Sequence, residues 1–270
     1  MDESFDKFIQ HKGLSINKEA MAPNSLESIL LNYKGRIECD TFLLRDGNIA
    51  IINEKEFGKS RAEIENLNLN ELEKLRINTL CTETDQMVPL LDEFIGLAAD
   101  TDTSVALEIR SSTIEKSKEL TLKIIEQLTN MQKTGGFKSN PEFIISKLSL
   151  QSFSVQVLKT INEIGQLQKQ KFNTTLFWPS DEVWAEKVEV FDWKVVNELN
   201  NRDLTWQEKG IEVAVKNQVT EIEFQPFVIT KELIEKAHSY GLKVGVAVTK
   251  NEDLAKKLIE DGVDYIKTEK

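Results

Sequence analysis

Three carboxylates lie on two segments with the pattern of β-strands. In Arg36–Asp40, the alternation of side chains along a strand places Glu38 and Asp40 on one face. In Ser104–Ile109, the same alternation places Glu108 on the face opposite to that of Leu107. A charge in an apolar strand is costly unless it is ion-paired or bound to a metal. Oxygen ligands without thiolate or imidazole suit Mg²⁺, Ca²⁺ or Mn²⁺. The spacing therefore indicates a divalent-cation site, and the alternative is a set of ordinary ion-paired acids.

Basic side chains accompany these acids. His11, one of two histidines, ends the first predicted strand and precedes Lys12. An imidazole there could be a general acid or base, or a solvated loop side chain. Arg110 shares the face of Glu108, whereas His238 falls at the end of a predicted helix and is expected at the surface.

The elements that must position these residues alternate between short apolar runs and helical patterns, which predicts a mostly parallel sheet. The link between two candidate strands, Arg36–Asp40 and Asn48–Ile52, is too short for a crossover helix, so one of them is expected to be a hairpin partner. We predict one (β/α)₈ TIM-type barrel as a single domain over residues 1–270, with its reactive groups at the carboxyl ends of the strands. The other candidate strands are Phe5–His11, Ser104–Ile109, Phe143–Leu148, Phe172–Phe177, Val219–Phe224, Lys243–Val248 and Asp264–Lys267.

Two helices have clear boundary signals. In Ser112–Thr134, the pair Ser112 and Glu115 predicts a capping box. In Thr230–Ser239, Thr230 is the expected N-cap and Gly241 the expected stop.

Charge and composition narrow the possible partners. The 270 residues have a formal net charge of −11 at pH 7, which opposes binding to nucleic acid and to anionic membranes. The acidic N-terminus is unlike a signal peptide, and no apolar run has the length of a membrane span. With two cysteines and no disulfide framework, we expect a cytoplasmic protein without stable membrane association.

The order of several short motifs carries more information than any one of them. Together they resemble the glycerophosphodiester phosphodiesterase family over nearly the whole chain, which implies a phospholipase-C-like TIM barrel that hydrolyses glycerophosphodiesters to an alcohol and glycerol phosphate. The matching segments are His11-Lys12-Gly13, Ala22–Ser25, Ile37–Asp40, Asp46-Gly47, Leu67–Leu75, Val88–Glu93, Glu108–Arg110, Ser152-Phe153, Ala237–Val244 and Gly262–Glu269.

By this resemblance, Glu38, Asp40 and Glu108 correspond to the metal-binding acids of the family, with Mg²⁺ or Ca²⁺ as cofactor. His11 corresponds to the histidine that acts as general acid or base. Lys12 stands where the family usually has Arg, and Arg110 where it usually has Lys. Both retain a cation that can bind the phosphate of a small-molecule phosphodiester, although the two cation types are not equivalent.

The sequence departs from the family at the second catalytic histidine, where Asn53 is followed by Glu54. An amide cannot take up a proton near neutral pH, and the loss of an acid–base group typically costs about 10²–10⁴ in rate. Other departures are Pro23 for a Glu, Ala247 for a Trp and Glu269 for an Asp.

These departures leave more than one hypothesis. The leading one is a metal-dependent phosphodiesterase with reduced or altered activity, in which Asn53 holds substrate or water. The alternative is a catalytically inactive barrel that binds a phosphorylated small molecule. A third is an unrelated aldolase-like barrel enzyme, for which Lys147 is the candidate Schiff-base lysine. The sequence does not indicate an oligomeric state.

Overall fold

Eight parallel strands form the framework of the chain. The structure is a computed structural model that describes residues 7–13, 23–31, 35–76, 87–134, 147–188, 190–199, 204–247 and 249–268. The strands are β1 Phe8–Gln10, β2 Arg36–Leu43, β3 Ile49–Ile51, β4 Ser104–Ile109, β5 Leu148–Ser152, β6 Asn173–Phe177, β7 Glu221–Phe224, β8 Lys243–Val246 and β9 Tyr265–Thr268. The hydrogen-bonded order is β1-β9-β8-β7-β6-β5-β4-β2-β3, and β1 also pairs with β2, which gives the predicted (β/α)₈ TIM-type topology.

The extra strand candidate is a hairpin partner, as predicted. β3 pairs antiparallel to β2, with Thr41 opposite Ile51 and Leu43 opposite Ile49. The connecting turn includes Gly47, whose φ of 88° lies in the left-handed region that glycine adopts readily.

One strand was predicted too early in the chain. The prediction Phe143–Leu148 falls mostly on residues outside the described part, and β5 is Leu148–Ser152. β5 alternates Leu148 and Leu150 with the buried polar residues Ser149 and Gln151, and it lacks the β-branched and aromatic residues that are typical of strands.

Helices follow the strands. They are α1 Leu26–Leu31, α2 Arg61–Glu65, α3 Leu69–Leu72, α4 Leu91–Asp100, α5 Ile114–Lys133, α6 Val155–Gln168, α7 Glu182–Ala185, α8 Trp193–Asn197, α9 Trp206–Lys216, α10 Lys231–Ser239 and α11 Glu252–Glu260, with 3₁₀ turns at His11–Gly13 and Glu54–Phe57. The N-cap of α10 is Thr230, as predicted. The predicted capping box of α5 is wrong, because Thr113 is the N-cap and Ser112 instead bonds to Glu65.

The chain divides into two compact units, one within Gln10–Leu148 and one that joins the described residues of Met1–Ile9 to Ser149–Thr268. The expectation of a single domain over 1–270 stays a prediction.

In the first unit, an apolar cluster packs beneath the hairpin and fixes the segment that follows β3. Its buried members are Phe42, Leu44, Ala50, Ile52, Ile64, Leu72 and Val88.

The strands of the second unit carry buried polar side chains. The Nζ atom of Lys267 lies 3.0 Å from Gln151 Oε1, 3.2 Å from Glu223 Oε2 and 4.0 Å from the ring centroid of Phe177. Lys267 is 3% exposed, so these contacts compensate the burial of its charge. The tryptophans of this unit pack with phenylalanines, and Trp178 is fully buried.

Candidate active site

The three acids singled out in the sequence meet at adjacent strands. β2 and β4 pair in parallel with Asp40 opposite Glu108, and the alternation along β2 brings Glu38 to the same face as Asp40. One carboxylate oxygen from each of the three residues lies within 4.8 Å of the others, and all three residues are buried. Such an all-oxygen donor set fits a hard divalent cation of the Mg²⁺ or Ca²⁺ type.

Arg110 joins two of these acids to a further carboxylate. Its Nη1 atom lies 2.8 Å from Glu108 Oε1 and 3.2 Å from Asp40 Oδ1, and its Nη2 atom lies 2.6 Å from Glu54 Oε1. Burial alone would lower the pKa of Arg110, but the charges of Glu108, Asp40 and Glu54 raise it above its ordinary value. The guanidinium therefore stays charged and orients three carboxylates at once.

Asp40 is held in its ionised form. Burial raises the pKa of this carboxyl, but the charges of Arg110 and Lys12 and the hydrogen bond from Asn53 outweigh it, so that the pKa lies below its usual value. The backbone amide of Asp40 also donates to Asn24 Oδ1 over 3.3 Å, and Asn24 Nδ2 donates back to Asp40 Oδ2 over 3.4 Å. An ionised, oriented carboxylate is the form that binds a cation.

The turn His11–Gly13 follows β1 and brings His11 and Lys12 to Glu38. His11 Nε2 lies 3.9 Å from Glu38 Oε2, and the backbone amide of Lys12 donates to the same oxygen over 3.1 Å. Lys12 has a φ of 53°, a left-handed conformation that is uncommon outside glycine. The side-chain ammonium of Lys12 bonds to Glu56 Oε1 at 2.8 Å.

Asn53 lies directly against the acids. Its Nδ2 atom donates to Asp40 Oδ2 over 2.9 Å, and its Oδ1 accepts from the backbone amide of Lys55 over 3.1 Å. The second bond makes Asn53 the N-cap of the turn Glu54–Phe57. The structure therefore brings all seven predicted site residues into one unit: His11, Lys12, Glu38, Asp40, Asn53, Glu108 and Arg110.

Two neighbouring acids were not predicted as site residues. Glu54 bonds to Arg110 and lies 3.7 Å from the Nε of Arg61, and Glu56 bonds to Lys12. Both belong to the turn that Asn53 caps, and the spacing of two acids directly after a strand end was the available sequence signal. That signal is weak, because Lys55 and Lys59 alternate with acids in the same segment.

The cluster is rich in charge. Among the described residues, it contains five carboxylates and three side chains of lysine or arginine. A divalent cation among the acids would add positive charge where the carboxylates converge. The carboxylates are Glu38, Asp40, Glu54, Glu56 and Glu108, and the cations are Lys12, Arg61 and Arg110.

Other candidates from the sequence lie outside this cluster. Cys39 is fully buried, and burial raises the pKa of its thiol well above the ordinary value. The negative charges of the nearby acids raise this pKa further. It is therefore not a thiolate nucleophile. Lys147 pairs with Asp102, and His238 Nε2 lies 2.8 Å from Asp264 Oδ2 on a partly exposed surface.

Comparison with known proteins identifies the family. The model of the glycerophosphoryl diester phosphodiesterase family matches residues 11–270. The chain belongs to this family. Membership places it among the phosphoric diester hydrolases and confirms the resemblance in the sequence. No curated protein sequence matches the chain.

Solved structures of the family share its fold. A glycerophosphodiester phosphodiesterase from Parabacteroides distasonis is 16% identical, with 98% of this chain and 93% of that chain covered and a TM-score of 0.70. A phosphodiesterase from Oleispira antarctica, in complex with the product sn-glycerol-3-phosphate, is 17% identical, with 98% and 94% covered and a TM-score of 0.68. A glycerophosphodiester phosphodiesterase from Thermotoga maritima is 15% identical, with 98% and 94% covered and a TM-score of 0.62.

Helix length bears on the expected relation to membranes. Among the described residues, none of the helices combines the length and apolar character needed to span a bilayer.

Proposed function

We propose that this chain hydrolyses glycerophosphodiesters to an alcohol and glycerol phosphate with the help of a divalent cation, Mg²⁺ or Ca²⁺. The convergence of Glu38, Asp40 and Glu108 carries this proposal. Family membership supports the reaction class, and the Oleispira antarctica relative binds sn-glycerol-3-phosphate.

The three acids are the proposed ligands of the cation. When bound, a divalent cation supplies a Lewis acid that neutralises phosphate oxygens and stabilises the charge of the transition state. The convergence of their oxygens and the lowered pKa of Asp40 support this assignment.

Lys12 and Arg110 are the proposed phosphate-binding residues. Both are cations in a chain that is acidic as a whole, and both lie beside the metal-binding acids. Their contacts with carboxylates hold them there before substrate binds. A phosphodiester anion would share the charges of Lys12 and Arg110 with these carboxylates.

His11 is the proposed proton donor to the departing alcohol. Its Nε2 atom lies 3.9 Å from Glu38 Oε2, close to the proposed ligands of the cation. Asn53 is proposed to orient Asp40 and to hydrogen-bond substrate or water, since its amide carries no titratable proton.

Asn53 also favours a second candidate function. A catalytically inactive barrel that binds a phosphorylated small molecule would keep the acids and cations and lose one proton-transfer group. The hydrogen bond between Asn53 and Asp40 is compatible with such a binding site, because it orders the acid without taking part in proton transfer.

The proposed partner is a small-molecule phosphodiester. The net charge of −11 opposes binding to nucleic acid and to anionic membranes, so we propose that neither is a stable partner. We also propose a cytoplasmic location for the chain.

A panel of glycerophosphodiesters with different alcohols tests the two functions against each other. The phosphodiesterase proposal expects release of glycerol phosphate in the presence of Mg²⁺ or Ca²⁺, and none with a chelator. The binding proposal expects heat of binding for glycerol phosphate in calorimetry and no product from any member of the panel.

A further inference from the structure

One carboxylate in the cluster has no counterpart among the residues that the family resemblance assigns. Glu56 lies in the 3₁₀ turn capped by Asn53, and its side chain is 15% exposed. It accepts a hydrogen bond of 2.8 Å from Lys12 Nζ, and the side chain of Asn24 acts to lower the pKa of its carboxyl. Glu56 is therefore held in place by Lys12.

Lys12 and Asn24 also bind the predicted metal ligands. Asn24 exchanges hydrogen bonds with Asp40, and Lys12 donates its backbone amide to Glu38. A single residue, Lys12, thus links Glu56 to these acids. The other acid of the same turn, Glu54, bonds instead to Arg110 and lies close to Arg61.

Hydrolysis of a phosphodiester needs a proton acceptor for the attacking water as well as a donor for the leaving alcohol. Asn53 stands where the resemblance expects the second histidine, and its amide cannot take up the proton. We propose that Glu56 is the catalytic proton acceptor of this chain, an inference that rests on the proposed hydrolysis.

The proton balance of the step is complete with these residues. The water oxygen forms a new bond to phosphorus while one water proton moves to the Glu56 carboxylate. The bond between phosphorus and the alcohol oxygen breaks, and that oxygen takes a proton from the protonated His11. Glu56 then releases its proton to solvent and His11 takes one up, so that both groups return to their starting forms.

The surroundings of Glu56 suit a proton acceptor. Burial raises the pKa of its carboxyl, the charge and hydrogen bond of Lys12 oppose the rise, and the charge of Asp40 adds to it, with a net shift upward. Among the described residues, Lys12 and Asp40 are the charged groups with the largest effect on the pKa of Glu56, and Asn24 is the neutral one. A phosphate anion that shares the Lys12 ammonium would make the carboxylate more basic.

The test is the pH dependence of kcat for a glycerophosphodiester, measured for the wild type and for Glu56→Gln. The amide keeps an acceptor for Lys12 but cannot take up a proton. We expect kcat to fall by about 10²–10⁴-fold and the low-pH limb of the profile to disappear. Calorimetry with glycerol phosphate and Mg²⁺ should give an affinity no weaker than that of the wild type, because the amide no longer competes with the phosphate for the charge of Lys12. Glu126→Gln, at an exposed helix position, is the matched control and should behave as the wild type.

Further variants keep the test decisive. Asn53→His in the Glu56→Gln background should recover at least about tenfold in kcat, because a proton acceptor is restored. Glu56→Asp should keep the low-pH limb at reduced kcat, which also serves if the Gln variant does not fold.

Three results would overturn the inference. The first is a kcat of Glu56→Gln close to that of the wild type, and the second is a reduced kcat of Glu56→Gln with the low-pH limb retained. The third is a kcat of Glu56→Asp equal to that of the wild type. If the wild type itself gives no turnover, the proposed hydrolysis fails, and the role of Glu56 fails with it. Turnover by the wild type with an unaffected Gln variant overturns the role of Glu56 alone.

Discussion

The side-chain amide of Asn53 donates a hydrogen bond of 2.9 Å to Asp40 Oδ2. This contact connects Asn53, at which the chain departs from the family, to Asp40, which corresponds to one of the acids of the family. The bond helps to keep the pKa of Asp40 below its usual value. Asn53 therefore supports a predicted metal ligand, whatever its effect on proton transfer.

Asn53→Ala removes this bond and should weaken cation binding. Loss of a partner that orients a metal ligand typically costs about 10–100-fold in metal affinity. Calorimetric titration with Mg²⁺ or Ca²⁺ measures the change. Asn130→Ala, at an exposed position of α5, is the control and should leave the affinity unchanged, and an unaltered affinity in Asn53→Ala would contradict the role given to this amide.

Arg110→Met should destabilise the metal-free protein. The variant leaves Asp40, Glu108 and Glu54 buried without their shared cation, and removal of one partner of a buried ion pair costs about 3–5 kcal/mol in the free energy of unfolding. Arg110→Lys should lose less, because a cation remains. Urea unfolding with and without Mg²⁺ measures both, and added cation should reduce the loss in Arg110→Met. Equal stability of the Met variant and the wild type would show that the guanidinium does not balance these acids.

Gly245→Ala tests the packing of the second unit. A Cβ atom at Gly245 would lie 2.2 Å from Cζ of the buried Tyr265, so we expect a loss of about 1–3 kcal/mol in the free energy of unfolding. Gly96 in α4 has nothing within 4 Å of the equivalent Cβ, and Gly96→Ala should gain roughly 0.5–1 kcal/mol from helix propensity. Chemical denaturation distinguishes these opposite signs.

Glu208 should contribute to stability in a defined range of pH. Hydrogen bonds from Lys236 and from Thr205 lower its pKa to about 2 from an ordinary 4.5. Because the folded-state pKa is the lower one, this stabilisation is present above the unfolded pKa and is lost as the pH falls toward about 2. Thermal midpoints of the wild type and Glu208→Gln should differ near neutral pH and converge in acid. A difference that persists unchanged in acid would contradict this assignment.

The sequence predicted the topology well where strands are apolar. The paired segments β2 and β3, the span of β4 and the cap Thr230 were all found from alternation and turn residues. β5 was missed because it lacks β-branched and aromatic residues, and because its buried polar residues depend on partners such as Lys267, which is distant in sequence. The cap of α5 was misassigned because Ser112 bonds to Glu65, a contact that no local pattern encodes.

The candidate site was predicted as a set of residues but not as a network. Strand alternation placed Glu38, Asp40 and Glu108 together, since β2 and β4 are neighbours. The contact of Glu56 with Lys12 depends on how two turns from different strands approach each other, and sequence spacing contains no information on that approach.

The most direct test of the proposed function compares the wild type with Glu38→Ala in an assay for glycerol phosphate release, with Mg²⁺ or Ca²⁺ added in increasing amounts. Glu38 is one of three acids whose oxygens converge within 4.8 Å, so its removal should abolish the cation-dependent release. We predict turnover by the wild type that rises with cation concentration and is absent in the variant. Wild-type turnover no greater than that of Glu38→Ala would contradict the proposed function.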